Sequence, residues 1–528
     1  MSDLIGSLPA VPSEAASYYQ QGWWRRSTFL DDLHAWARTA ADRPAYINVR
    51  TLLGESVTVT FGELARQVEW FGTVLWERGV RPGQVVAWQL PNWWEAGALW
   101  LACSRVGAVA LALPPATGGR EREVMLAAMQ AALFVTTDQG QADGCGTASV
   151  VTLDDLLHDA ASAVPLPAAE RPTVHADAVS QVLFTSGTTG HAKAVLHSHN
   201  TTYAPLRASQ EYLRTPSVTA AISTLTHSIG LRSCLLSPLA TGHPSVFADT
   251  HDPHTWLDLL ARHRVTRLLA APRTLGELVR TQQSHPHDLS GLRQVSSVAA
   301  PLPDAVAADV RTTLCPRLVR VFGTTEAGAV LVNRSEDPAG PAARSLGSPV
   351  PGMQLRLTES DSPEASHLHV RGPGLCRVML DLRTRSVLWS PAHDGGWYDT
   401  GDLVQADGQG NLRYLSRAAD RIGWGYVIPV AEVEEELSHH PQVAEAAIVG
   451  VPDADGHEIA CAALVPRGTP PSLDDLRTFL RSRNMTEWYL PVRLSLLPTL
   501  PRTALGKVRK DQVRREISAD TAPSPEPV

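Results

Sequence analysis

The sequence predicts a layered α/β protein, with a large N-terminal domain of α/β subdomains and a small mobile α+β domain at the C-terminal end. Three observations carry this. Short apolar runs alternate with segments of helical period through most of the chain. At 528 residues the chain exceeds what one core supports and suggests about three or four structural units. After about Arg417 the pattern changes to helix, strand, strand, helix within about 100 residues, the scale of a self-contained small domain. The division read from this is 1–416, 417–518 and a Pro-rich tail at 519–528 that is expected to be disordered.

Each element has a local cause. Thr60 and Glu63 have the spacing of a capping box, and Leu64, Val68, Phe71 and Leu75 follow at helical spacing. The runs Val85–Leu90, Val106–Leu113 and Leu133–Thr136 are too short for helices and read as buried strands. Ala161–Thr173 and Glu336–Ala343 read as loops. In the last quarter, Val430–Leu437 is a short acidic amphipathic helix, and Val443–Val451 and Ile459–Val465 are strands. Ser472 and Asp475 then cap a helix that carries Leu473, Leu476, Phe479 and Leu480 on one face.

Composition excludes several classes. Apolar residues are 44% and charged residues 19%, so the chain is not disordered as a whole. Lys plus Arg number 46 against 54 Asp plus Glu, a net charge of -8, and no basic run offers a nucleic-acid footprint. The most apolar stretch, Val85–Pro114, is interrupted by Pro91, Glu95 and Arg105, so no membrane span is expected. The N-terminus lacks the basic and apolar regions of a secretory signal. Six widely spaced cysteines, with no CxxC, read as buried thiols of a cytoplasmic protein.

The chemistry is concentrated in Leu183–Val195, LFTSGTTGHAKAV. An apolar strand runs into Thr185, Ser186, Gly187, Thr188, Thr189 and Gly190, with Lys193 three residues on. The glycines let the backbone fold tightly around an anion, the hydroxyls and backbone N–H groups donate to it, and Lys193 adds positive charge. The spacing is not that of a P-loop NTPase. A polar β-turn is the plain alternative, and the strand-anchored length argues against it.

At these residues the chain resembles the adenylate-forming superfamily of acyl-CoA synthetases, peptide-synthetase adenylation domains, aryl-acid ligases and firefly-type luciferases. FGTTEAG (Phe322–Gly328) is similar to the YGxTE motif of that family, and WYDTGDL (Trp397–Leu403) to YxTGD. Ser416-Arg417 is similar to the Gly-Arg that follows, and LPRTALGKVRK (Leu500–Lys510) to the terminal LPRTxxGKxxR. QLPNWWE (Gln89–Glu95) and LTHSIGL (Leu225–Leu231) also resemble acyl-CoA synthetases. The resemblance runs from about Gly22 to Ile517.

It implies ATP and Mg²⁺ as cofactors. Thr185–Gly190 and Lys193 would cradle the phosphates, Thr325 would bond a phosphate, and Glu326 would hold Mg²⁺, a hard cation suited to carboxylate and phosphate oxygens. Phe322 would lie against adenine, Asp402 would accept from the ribose hydroxyls, and Arg417 would donate to the ribose. Lys507 would bridge the attacking oxygen and the α-phosphate as charge develops there. His227, Ser228, Val298 and Ala299 would line the acid pocket. Taken alone, Glu326 reads as a solvated carboxylate, Asp402 as a turn residue, Lys507 as a surface cation and His227 as a core histidine. The joint order of Glu326, Asp402 and Lys507 favours the site; for His227 the reading as a gate of the acid pocket and the reading as a core histidine both stand.

The chain departs from the family at four places. The loop reads Gly190-His191-Ala192-Lys193-Ala194, where relatives have Gly-x-Pro-Lys-Gly. The hinge position is Ala419 rather than Asp or Lys. The following loop, Ile422-Gly423-Trp424-Gly425-Tyr426, is one residue short beside the expected thioester site. Ser297-Val298-Ala299-Ala300-Pro301 replaces Ser-Gly-Gly-Ala-Pro, which fills the acyl pocket, and Ser228 stands where hydroxybenzoate ligases carry Asn. The expected reaction is therefore Mg-ATP-dependent adenylation of a compact aryl, alicyclic or small acid, followed by transfer to a nucleophile. CoA or a carrier-protein thiol is the default acceptor, with CoA set in question by the short loop. One alternative activates nitrite and passes it to an arylamine. Another is a nucleotide-binding pseudoenzyme, against which the complete polar set argues. No nucleic-acid or membrane partner is expected.

Overall fold

The computed structural model describes residues 11–138, 148–167, 170–186, 192–210, 217–333, 345–360, 365–408, 411–417, 422, 428, 430–452, 458–483, 485, 489–503 and 506–519. Gly187–Gly190, the hinge Ala419 and the loop residues 423–426 lie outside these, as does the expected tail from 520.

Two large sheets form the body. The first runs, edge to edge, Ser348–Pro349, Gly328–Asn333, Leu318–Thr324, Gln294–Ser297, Arg267–Ala270, Thr219–Ile222, Ser245–Ala248, Pro44–Arg50 and Glu55–Thr60. Its centre is parallel and both margins are antiparallel. The second runs Val387–Trp389, Val378–Asp381, Ala192–Ser198, Val179–Ser186, Val109–Ala112, Val85–Gln89, Ala131–Thr136 and Ser149–Thr152. From Val179–Ser186 onward it is parallel, and its other end is antiparallel. Parallel strands need both faces covered, which is why Val85–Gln89 is buried at every residue. A smaller antiparallel sheet, Gln354–Glu359, Ser366–Arg371, Tyr398–Ala406 and Leu412–Arg417, stands beside them.

The capping box read at Thr60 is present: its hydroxyl accepts from the Glu63 N–H, and the Glu63 side chain accepts from the Thr60 N–H at 2.8 Å. The helix Phe61–Glu77 that follows packs on Glu95–Val106, every residue of which is buried. This explains the interrupted apolar stretch. Glu95 pairs with Arg50, and Arg105 donates to both carboxylate oxygens of Glu69 at 3.0 and 3.1 Å. The expected strand Val106–Leu113 is shorter in the fold. Val106 ends the helix, Gly107 closes it at a φ of 69°, and pairing covers only Val109–Ala112. Apolar runs alone do not separate a buried helix end from a buried strand.

The C-terminal segment folds as Val430–Ser438, Val443–Pro452, Glu458–Pro466 and Leu473–Ser482, the expected helix, strand, strand and helix. A third strand, Arg493–Leu496, adds in parallel to Glu458–Pro466, and a last helix covers Lys510–Ala519. Ser472 and Asp475 form their capping box. The Asp304 N–H of the large body donates to Glu435 Oε1 of this unit at 2.8 Å. The five described cysteines are free and buried, and no helix among the described residues is long and apolar enough to cross a membrane.

Removing one partner of a buried ion pair leaves the other charge uncompensated, a loss of about 3–5 kcal/mol. Glu69→Ala should therefore destabilise the protein by that amount in urea titrations. Glu69→Leu with Arg105→Met should recover most of it. A Glu69→Ala variant as stable as wild type would show that Arg105 finds water or another partner.

Candidate active site

Four neighbouring parallel strands of the first sheet end at one side of the molecule. The segments following their carboxyl ends supply His227 and Ser228, Ala271–Arg273, Val298–Pro301, and Thr325. The adjacent strands Val109–Ala112 and Val179–Ser186 of the second sheet deliver Pro114 and Thr185 to the same place. Together they line a cleft of about 2350 Å³. Crevices at the carboxyl ends of parallel strands are where open α/β sheets bind ligands, because loops leave there while side chains fill the sheet itself.

The third sheet and the C-terminal unit complete the walls. Asp402, on Tyr398–Ala406, is buried and lines the cleft, and its cross-strand partner in the antiparallel ladder is Arg417. Lys507 reaches the cleft from a tight turn: the Gly506 N–H donates to Thr503 O, the Thr503 N–H donates to Lys507 O, both at 2.8 Å, and Gly506 has a φ of 79°. A Cβ at Gly506 would stand 3.8 Å from Arg273 of the large body, so this turn is seated at the cleft mouth.

Thr185 and Lys193 are paired across the antiparallel strands Val179–Ser186 and Ala192–Ser198, and both line the cleft. Ser186 ends the first of these strands. Phe322 lines the cleft too, its ring 6.5 Å from that of Tyr414. Glu326 is 8% exposed. Its backbone carbonyl accepts from the Cys376 N–H at 2.7 Å, while no described residue takes up its carboxylate, which faces the cleft. A carboxylate with open lone pairs on the wall of this cleft fits a hard divalent cation. Among the described residues there is no cluster of three or more metal-ligating side chains, so most of such an ion's coordination would come from phosphate and water.

In the acid-pocket stretch, His227 caps the short helix Ser228–Gly230, its Nδ1 accepting from the Ile229 N–H at 3.3 Å. Ser228 and Val298 are buried. Ala299 is exposed to the cleft at a φ of 72°, a left-handed conformation that disfavours any side chain. The expected phosphate-loop residues Gly187, Thr188, Thr189 and Gly190 lie outside the described residues.

Two residues that sequence reasoning passed over stand out. His197 Nε2 donates to Thr325 O at 2.9 Å, while Nδ1 faces the Thr201 hydroxyl at 3.0 Å. Burial, then the charge of Arg232, pushes its pKa down to about 3, so it is neutral. Arg232 is 8% exposed, lines the cleft, and lies in the π-helical turn Leu231–Leu236. Its only sequence signal is a cation within an apolar run after the His227 motif, too common to single out.

The region described as AMP-binding enzyme matches residues 33–379, and the AMP-binding enzyme C-terminal domain matches 432–507. The chain belongs to the AMP-binding enzyme family, the adenylate-forming superfamily of acid–CoA and acid–AMP ligases. It is 27% identical to medium-chain fatty-acid–CoA ligase of Escherichia coli, across 98% of this chain and 95% of that one. It is 28% identical to salicyl-AMP ligase/salicyl-S-ArCP synthetase of Mycobacterium tuberculosis, across 98% and 96%. Among solved structures it superposes on ATP-bound MatB of Rhodopseudomonas palustris with a TM-score of 0.80 and 25% identity, over 94% of this chain and all of that one. The amide bond synthetase McbA of Marinactinospora thermotolerans gives 0.79 and 27%, over 93% and 99%. Family membership and the likeness to ATP-bound MatB support ATP binding by the chain.

The buried histidines make stability pH-dependent. His199, packed edge-on against Trp100, is also held at about 3, by burial and then by Arg25. Unfolded histidine titrates near 6.5, so between about pH 6.5 and 3 the unfolded chain binds protons that the fold refuses. Stability should fall as pH drops through that window, by up to about 1.4 kcal/mol per pH unit for each histidine. Urea titrations from pH 7.5 to 5 should show the slope reduced in His199→Phe, whose ring suits the same aromatic surroundings. An unchanged slope would mean that His199 is protonated in the fold.

Proposed function

We propose that the protein adenylates a compact carboxylic acid with Mg-ATP and passes the acyl group to a nucleophile. The observation that carries this is the convergence on one cleft of Lys193, Thr325, Glu326, Asp402 and Lys507, from separate stretches of the chain. A carboxylate oxygen attacks the α-phosphorus, the α–β bridging bond breaks, and pyrophosphate leaves. The acceptor then attacks the acyl carbonyl and AMP departs.

The residues divide the work by position. Thr185, Ser186, Thr188 and Thr189, with Gly187, Gly190 and Lys193, hold the phosphates, and Thr325 adds a hydroxyl. Glu326 holds Mg²⁺, which neutralises phosphate charge when bound. Phe322 packs on adenine, and Asp402 with Arg417 brackets the ribose. Lys507 stabilises charge developing at the α-phosphate, where a preoriented cation acts without reorganisation. The nearness of its turn to Arg273 supports a C-terminal unit, divided from the large domain at 416/417 in this reading, that is set for the first half-reaction. His227, Ser228, Val298 and Ala299 shape the acid pocket. A thiol, of CoA or a carrier protein, is the default acceptor.

A second reading keeps the first step and changes the acid. Buried Val298, and the Ala299 Cβ held in a left-handed conformation, take up room where an acyl group would lie. In this reading the acid is nitrite, a small anion that needs no acyl pocket. Its oxygen would attack the α-phosphorus as pyrophosphate leaves; an arylamine nitrogen would then attack the nitrosyl nitrogen, releasing AMP. Loss of hydroxide from the N-nitroso product would give the diazonium ion.

Release of AMP and pyrophosphate, measured with compact carboxylic acids and with nitrite plus arylamine, each with and without CoA, tests both readings. Acid-dependent AMP formation raised by CoA supports the thioester route; formation only with nitrite and amine supports the second. Lys507→Ala should lower the adenylation rate about 10²–10³-fold with ATP binding retained. Glu326→Gln should raise the Mg²⁺ concentration needed for half-maximal rate. Full activity of both variants would remove the cleft from the chemistry.

A further inference from the structure

Among the described residues of the cleft, Arg232 is a cation that the adenylation chemistry leaves unused. The residue is 8% exposed, its Nε and Nη2 are buried, no described residue accepts from either, and no described carboxylate lies within ion-pair distance. A Cβ added at Gly328 would stand 2.9 Å from its Nη1, so the cation rests against the backbone two residues past Glu326. Its charge reaches both His197 and His227, which are neutral and cannot balance it. Burial lowers its own pKa only to about 10, so it remains charged at neutral pH. A buried, unpaired cation is strongly unfavourable, and folds keep one where a ligand supplies the counter-charge. The surrounding turn is π-helical, a conformation that recurs at functional sites.

The reacting carboxylate is a poor candidate for that counter-charge. Adenylation turns it into an uncharged acyl group, with the remaining negative charge of the mixed anhydride on the α-phosphate, and the guanidinium would lose its carboxylate at the intermediate. The partner has to stay anionic throughout. Resting on the adenylation reading above, we propose that Arg232 binds a carboxylate that the reaction does not consume. The pocket therefore takes a small molecule that carries a carboxylate in addition to its reacting group. Two carriers offer this chemistry: a dicarboxylic acid, activated at one end, or an acceptor amine bearing a carboxylate, such as an aminobenzoate. The planar fork of the guanidinium suits a carboxylate bidentately, and charge-assisted bonds in a desolvated pocket are strong.

The test is calorimetric binding to the full-length protein with Mg²⁺ and α,β-methylene-ATP, which requires no turnover. Glutarate is compared with butyrate, phthalate with benzoate, and 3-aminobenzoate with aniline. One carrier should bind at least about tenfold more tightly than its match, as expected for one charge-assisted pair. Preference in the dicarboxylate pairs assigns the carboxylate to the acid; preference only in the amine pair assigns it to the acceptor. Arg232→Met should abolish the preference while leaving the binding of the less charged match in place, and Arg232→Lys should keep part of it. Without ligand, Arg232→Met should melt higher than wild type, because it removes an unpaired buried charge. Equal binding within every pair, or equal loss of both members in Arg232→Met and Arg232→Lys, would overturn the proposal. AMP formation is assayed separately: its absence with every acid, alongside an intact carboxylate preference, would overturn adenylation and leave the role of Arg232 standing.

Discussion

The hydrogen bond from His197 to the Thr325 carbonyl joins the two large sheets at the floor of the cleft. His197 belongs to Ala192–Ser198 of the second sheet, and Thr325 follows Leu318–Thr324 of the first. This bond couples the strand that carries Lys193 directly to the turn that carries Thr325 and Glu326. The bond from Cys376 to the Glu326 carbonyl reinforces it, since Cys376 leads into Val378–Asp381, which pairs with the Lys193 strand. Complete burial keeps His197 neutral, so the bond's donor stays in place across physiological pH. The two sheets, which also share a hydrophobic core between them, thereby present one floor to a ligand.

Charge inside this molecule follows two regimes. Glu95 and Arg105, set in a helix with no exposed residue, are each matched by an opposite charge from a neighbouring element. Those pairs let a polar sequence pass through a buried position, which is their structural use. Arg232 is comparably buried and has no such match among the described residues. The contrast separates charges that serve the fold from one that awaits a ligand. Ala299 tells a related story through backbone strain: a side chain in the left-handed region at the cleft wall is tolerated only where its surroundings hold it.

Much of this protein can be read from its sequence. The capping residues Thr60 and Ser472 state where helices begin because the side chain that caps lies three residues from the one it serves, an interaction local in sequence. The motifs around Thr185, Thr325, Asp402 and Lys507 are legible for a similar reason: each is a short run whose residue types and order carry the chemistry. The end of the helix at Val106 was not legible, since burial on all sides erases the periodicity that separates helix from strand. The short strand Arg493–Leu496 was missed because its pairing with Glu458–Pro466 spans an intervening helix.

By itself, then, the sequence determined the layered α/β class, the identity of the nucleotide-handling motifs and the small C-terminal α+β unit, all properties of contiguous residues. Only the tertiary structure decided which of those motifs share a cleft, that His197 bonds to the Thr325 carbonyl there, and that no described residue pairs with Arg232. These are consequences of the carboxyl ends of strands from two sheets meeting at one edge. Solvation and pairing of a side chain depend on residues far away in the chain, and no local pattern encodes them.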